Sequence, residues 1–94
     1  MITHIMGFNL IQTCPSNPEQ YDVYLGKLKV GYLQLMDGKF KAMFPDDSGE
    51  QVYLDFPGGQ DSFEELERYV YLNEAVSAIH HCLHELIRTA AFYG

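Results

Sequence analysis

The sequence predicts an α+β domain: an antiparallel four- or five-stranded meander with one long C-terminal helix packed on one face. Three observations carry that reading. Between residues 21 and 56 the chain falls into short runs rich in Tyr, Val and Phe, separated by turn residues. Asp37-Gly38 stands between two such runs, in LQLMDGKFKAMF, and Asp-Gly is suited to the positive φ angles of a two-residue hairpin turn. From Tyr69 onward, apolar residues recur at alternating spacings of three and four, the period of a helix. A chain of 94 residues has room for one core, so residues 1–94 form a single domain, with the sheet over about 4–56 and the helix over about 62–92.

The segment HIMGFNLIQT reads as a first strand. CPSNPEQ (14–20) reads as a loop, because Pro15 and Pro18 lack backbone donors and Ser16-Asn17 favours turns. YDVYL (21–25), LKVGYLQLM (28–36), KFKAMF (39–44) and QVYLDF (51–56) follow as strands. Gly26-Lys27 and Asp37-Gly38 join neighbouring strands tightly, PDDSGE (45–50) makes a longer turn, and PGGQ (57–60) leads into the helix.

The Asp37-Gly38 turn fixes a register in which Met36 faces Lys39, Leu35 faces Phe40 and Leu33 faces Ala42. One face then collects Leu33, Leu35, Phe40, Ala42 and Phe44, and the other collects Gln34, Lys39 and Lys41. Strand 51–56 is expected to turn Val52, Leu54 and Phe56 inward. The Gly26-Lys27 turn conflicts with this order. It pairs Val23 with Val30 and Tyr21 with Tyr32, on the face opposite Leu33. Two resolutions stay open: a bulge near Gly31 that restores parity, or an apolar outer patch of Tyr21, Val23, Tyr32 and Met43 available for self-association.

The helix is expected to start at Asp61-Ser62, with Ser62 and Glu65 as a capping box and Asp61, Glu64, Glu65 and Glu67 at the positive end of the dipole. Its apolar stripe is Tyr69, Leu72, Val76, Ile79, Leu83, Leu86 and Ala90. An unbroken helix over 62–92 spans about 46 Å. A domain of this size is only about 32 Å across. The helix is therefore interrupted near Asn73, or it overhangs and meets another chain.

The net charge of −7 is unevenly placed. Residues 1–44 set four lysines against Glu19, Asp22 and Asp37, while residues 45–94 set ten acids against Arg68 and Arg88. Such a C-terminal half repels duplex DNA and anionic lipid, and it suits a partner with a basic surface. The N-terminus has no basic region before its apolar stretch, so neither a signal peptide nor a membrane span is expected. Cys14 and Cys82 read as thiols in a reducing cytoplasm.

His80, His81 and His84 with Glu85 are the densest polar cluster. His80 and His84 share a helix face, but a zinc site needs a third ligand that the helix does not supply there. Cys82 and His81 are adjacent in the helix and point about 100° apart, which does not suit a thiol–imidazole pair. Pro57-Gly58-Gly59 precedes acids with no nearby cation, unlike a phosphate loop. No cofactor and no metal are expected.

The segments PEQYDVY (18–24), VGYLQL (30–35), DGKF (37–40), VY (52–53) and DSFEELERYVYLNEAVSAI (61–79) resemble a pattern in small uncharacterised proteins of phages and mobile elements. That resemblance implies a small cytoplasmic accessory protein directed against host defence. With the charge map, it leads to the expected function: a small acidic non-enzymatic binding protein, an anti-CRISPR-like inhibitor of a host nucleic-acid-handling or defence complex. Asp46, Asp47, Glu50, Asp61, Glu64, Glu65 and Glu67 would occupy the partner's basic site as a mimic of nucleic acid. Two alternatives stand beside it, a structural homodimerisation module and a metal- or thiol-dependent enzyme built on the helix His/Cys cluster.

Overall fold

The computed structural model describes residues 2–14, 18–58 and 61–93, the last two of these without their side chains. Pro15, Ser16 and Asn17 of the expected loop, and Gly59 and Gln60 before the helix, lie outside the described residues. Among the described residues six strands form one antiparallel sheet in sequence order: β1 (Ile2–Ile5), β2 (Phe8–Gln12), β3 (Glu19–Leu25), β4 (Leu28–Met36), β5 (Lys39–Phe44) and β6 (Glu50–Asp55). One helix, α1 (Glu65–Tyr93), packs on one face of that sheet.

Six strands replace the expected four or five because HIMGFNLIQT is itself a hairpin. Met6 and Gly7 turn it with φ of 54° and 83°. A methionine at positive φ carries no sequence signal, unlike Asp37-Gly38, whose φ angles of 55° and 74° form the anticipated turn. The β4–β5 register is as read: Leu35 opposite Phe40, Leu33 opposite Ala42, all four buried.

The parity conflict is resolved by a bulge. Val23 pairs with Gly31 and Tyr24 with Lys29, so Val30 is the extra residue of β4. Tyr21 then faces Leu33 rather than Tyr32, and Tyr21, Val23 and Val30 all enter the core. The expected outer patch is thereby corrected: Tyr21 and Val23 are buried under the helix, and only Tyr32 and Met43 remain paired on the open face. Leu28 does not follow Val30 inward and stays exposed at the strand end.

Gly31 also lets the helix approach. An added Cβ there would lie 2.4 Å from Ile79 Cδ1 and 3.3 Å from the Met43 carbonyl oxygen. Ile79 is fully buried, so its side chain has little room to yield. Gly31→Ala is expected to cost about 1–3 kcal/mol. Ile79→Val removes Cδ1 and should return part of that loss in the double variant. Urea unfolding of the four proteins as a double-mutant cycle checks this; additive losses would show that the two positions do not collide.

A second bulge inverts β6 beyond Val52, which itself packs against the core as expected. Ala42 pairs with Tyr53 and Met43 with Gln51, leaving Val52 as the extra residue. Leu54 therefore lies opposite Lys41 on the open face, while Tyr53 and Asp55 stand on the helix side, the reverse of the expected orientation. Tyr53 uses that position to reach the helix, donating to Glu74 at 2.7 Å.

The helix starts at Glu65, later than Asp61-Ser62. Phe63 enters the core, and the chain between Asp61 and Glu64 serves that descent rather than a helical turn. The cap is shifted accordingly: Glu64 N–H donates to Glu67 Oε1 at 3.0 Å, the back-reaching half of a capping box. The helix then runs unbroken through Asn73, and its 29 residues span about 43 Å, matching the 44 Å long axis of the molecule. The buried stripe is Leu72, Ala75, Val76 and Ile79, with Leu83 at its margin. Leu86 and Ala90 of the expected stripe are exposed, because α1 outruns the sheet it covers, and Tyr69, beside Arg68 at the other end, is exposed as well.

Candidate partner-binding surface

At one end of the molecule the β4–β5 turn, the end of β6 and the approach to α1 come together. The Asp37 N–H donates to Asp61 Oδ1 at 2.9 Å, tying the hairpin tip to the helix approach. Beneath them lies a buried ion pair. Glu19 of β3 is 2% exposed and meets Arg68 of α1 twice, at 2.8 Å from Nε and 3.1 Å from Nη2. Tyr21 OH at 2.5 Å and the Phe63 N–H at 3.0 Å donate to the same carboxylate, and Arg68 also donates to the Phe63 carbonyl. Burial alone would raise the Glu19 carboxyl; the donors from Arg68, Tyr21 and Phe63 outweigh it and hold the group below its ordinary range. This network fixes where the helix begins.

Seven acids are displayed over that end. Asp37, Glu64 and Glu65 are exposed, Asp61 and Glu67 are half-buried, and Asp55 and Glu74 flank Tyr53. Their joint field is felt by two phenols. Desolvation, then hydrogen bonding and charge from Glu74 and Asp55, pushes Tyr53 far up. Desolvation, then Asp55, Glu67 and Glu74, raises Tyr71. Arg68, the guanidinium closest to these acids, is committed inward to Glu19.

Beside the acids, the open face of the sheet carries a groove of about 370 Å³ lined by Gln34, Met36, Asp37, Lys39, Lys41, Gln51, Leu54 and Phe56. Its apolar members are partly exposed, and Phe56 most of all, with 64% of its surface in solvent. The lining mixes three apolar side chains, Met36, Leu54 and Phe56, with one acid, Asp37, and two cations, Lys39 and Lys41, and exposed apolar surface among charges suits a protein–protein contact.

The seven residues expected to bind a partner do not share one surface. Asp61, Glu64, Glu65 and Glu67 stand at this end, joined by Asp37, Asp55 and Glu74. Asp46, Asp47 and Glu50 stand at the far end of β5, about 20 Å away for six extended residues. There they have local roles. Asp46 accepts from Ser48 N–H at 2.9 Å and Oγ at 2.7 Å, which lowers its pKa. Asp47 lies 4.0 Å from Lys29, itself paired with Asp22 at 3.0 Å. Glu50, after burial, contributes to raising the Cys82 thiol.

In the helix His/Cys cluster, the His80 ring packs edge-on against Phe8 at 6.0 Å and lies 6.5 Å from His84. Among the described residues no group of three His, Cys, Asp or Glu is placed to hold a metal ion, and no helix is long and apolar enough to cross a membrane. Sequence reasoning gave no role to Glu19 and Arg68, which are 49 positions apart and share no motif, or to Met36, and it turned Leu54 and Phe56 into the core, whereas both are exposed in the groove. Phe56 had a signal in its place beside Pro57, past the end of the strand, where a side chain leaves the sheet. No family model, curated protein or solved structure matches the chain.

Proposed function

We propose that this protein is a small acidic non-enzymatic binding protein that docks on a basic surface of a partner protein. The observation that carries the reading is the adjacency of the Met36–Leu54–Phe56 groove to the acids around the helix start. Apolar side chains at the centre would supply affinity, and the acids would steer encounter and set orientation. In the setting implied by the phage-protein resemblance, that partner is a nucleic-acid-handling or defence complex of the host, and the acids occupy the site its nucleic acid would take.

The test uses three variants that leave the core untouched. Capture from host lysate with the intact chain identifies a partner. Phe56→Ala is then expected to weaken the complex at least about tenfold, corresponding to an anchor worth over 1.4 kcal/mol, with stability unchanged within about 0.5 kcal/mol. Glu64→Lys with Glu65→Lys should slow association and flatten its salt dependence. Asp46→Lys with Asp47→Lys, at the other end, should do neither. Binding indifferent to Phe56 and to the helix-start acids would refute the proposal.

A further inference from the structure

Bordering that partner surface at Glu67 and Glu74, α1 carries a second face with its own pattern. Positions 66, 70, 73, 77, 80, 84, 87 and 91 alternate spacings of four and three, the seam of a coiled coil, and all eight are exposed. The seam lies about a third of a turn around the helix from the buried stripe. Its ends are apolar and unusually bare: Leu66 is 91% exposed, Val70 57% and Ile87 59%. A leucine so fully in water stands out on a helix that buries Leu72, Ala75, Val76 and Ile79 elsewhere.

We propose that this face is a homodimer interface, in which α1 packs antiparallel against α1 of a second copy about a two-fold axis between Ala78 and Ile79. The seam is self-complementary only in that arrangement. Leu66 meets Ala91 of the second copy, and Val70 meets Ile87. Asn73 meets His84, and Ser77 meets His80. Apolar layers thus close both ends, and hydrogen-bonding side chains face each other at the centre, where polar pairs define register. The outer flank is complementary as well. Glu67 stands beside the guanidinium of Arg88 of the second copy, and Glu74 beside the hydrogen-bonding ring of His81, with an axial offset of about 3 Å that long side chains span. A parallel pair would instead bring Glu64, Glu65 and Glu67 of both copies together and align the helix dipoles. Arg88 is at present bonded to Glu85 of its own helix at 2.6 Å, on the surface, where the exchange of partner costs little. The two acidic ends would then point away from one another, and the two-fold axis crosses a part of α1, residues 75–84, that carries no Asp or Glu.

The test is a directional crosslink. In a Cys14→Ser, Cys82→Ser background, Val70→Cys and Ile87→Cys are prepared separately; both positions are exposed, so folding is preserved. Under a thiol–disulfide redox buffer, the mixture is expected to give a disulfide-linked 70–87 dimer, while Val70→Cys alone gives none, its two copies being about 25 Å apart along the axis. Arg88→Glu should weaken dimerisation at least about tenfold in sedimentation equilibrium, with the circular dichroism spectrum unchanged. Crosslinking of Val70→Cys to itself would overturn the antiparallel seam. A parent chain that sediments as a monomer at its solubility limit would overturn the dimer.

Discussion

Phe40→Ala will lower folding stability by about 3–5 kcal/mol, among the largest losses available to a single substitution in this chain. The ring is completely buried and stands at the meeting point of three others. Phe63 approaches it edge-on at 4.9 Å, Tyr53 at 5.9 Å and Tyr71 at 6.2 Å. Edge-to-face pairs add about 0.5–1.5 kcal/mol each beyond the buried area. Those partners come from β6, from the approach to α1 and from α1 itself, and Phe63 stacks on Tyr71 at 5.1 Å. Because they belong to three segments, the walls cannot collapse together into the space the ring leaves. Met36 ends the preceding strand of the same hairpin and is partly exposed, so Met36→Ala should cost under about 1 kcal/mol. Urea midpoints with unchanged slopes measure both. Equal losses at the two positions would contradict the register that sends Phe40 inward.

That register was legible because it depends on local facts: a period of two, and a turn dipeptide whose φ requirement is unmistakable. The elements misread depend on facts that are not local. Met6-Gly7 turns a hairpin although Met6 has no preference for positive φ, so the β1–β2 turn was hidden inside what looked like one strand. The bulge in β4 was signalled by Gly31, yet the glycine is needed for Ile79 while the extra residue is Val30. The bulge at Val52 has no signal at all, and one unseen residue reversed every side chain after it. Ser62-Phe63-Glu64-Glu65 is a fair capping box on paper, but Phe63 is needed in the core and the helix waits for it.

The candidate surface was legible in kind and not in place. Composition showed an acidic second half, and the acids of 61–67 stand before and within the first turn of a helix that starts at Glu65 rather than at Asp61-Ser62. Asp46, Asp47 and Glu50 are close to them in the chain and distant in space, because an antiparallel strand carries the chain from one end of the sheet to the other. The same strand geometry brings Asp37 and Asp61 together across 24 positions. Charge counted along a sequence says how much is present; the strand directions decide which end displays it.

Arg68→Met should be comparably destabilising at neutral pH, by about 3–5 kcal/mol, because it leaves Glu19 charged and buried without its cation. The size alone would not distinguish this from lost packing; the pH dependence does. In the parent chain the Glu19 carboxyl sits below its ordinary value of 4.5. Its contribution is therefore present above the unfolded pKa and is lost as the pH falls through the lower folded one. In the variant, desolvation remains while the guanidinium and its two hydrogen bonds are gone, leaving only Tyr21 OH and the Phe63 N–H as donors. The folded pKa then rises above the unfolded value, and the sign reverses. Stability from this group is full below the unfolded pKa and is lost as the pH rises through the raised one. The gap between the two proteins should therefore be widest near neutrality and narrow on acidification. Urea unfolding at intervals from about pH 3 to pH 8, across the carboxyl range, measures it. Adding Glu19→Gln to Arg68→Met removes the buried charge, and the double variant should be more stable at pH 7 than Arg68→Met alone. A gap that stays constant with pH, or a double variant no better than the single one, would mean that Arg68 holds the helix start by packing and that its pairing with Glu19 contributes nothing to the fold.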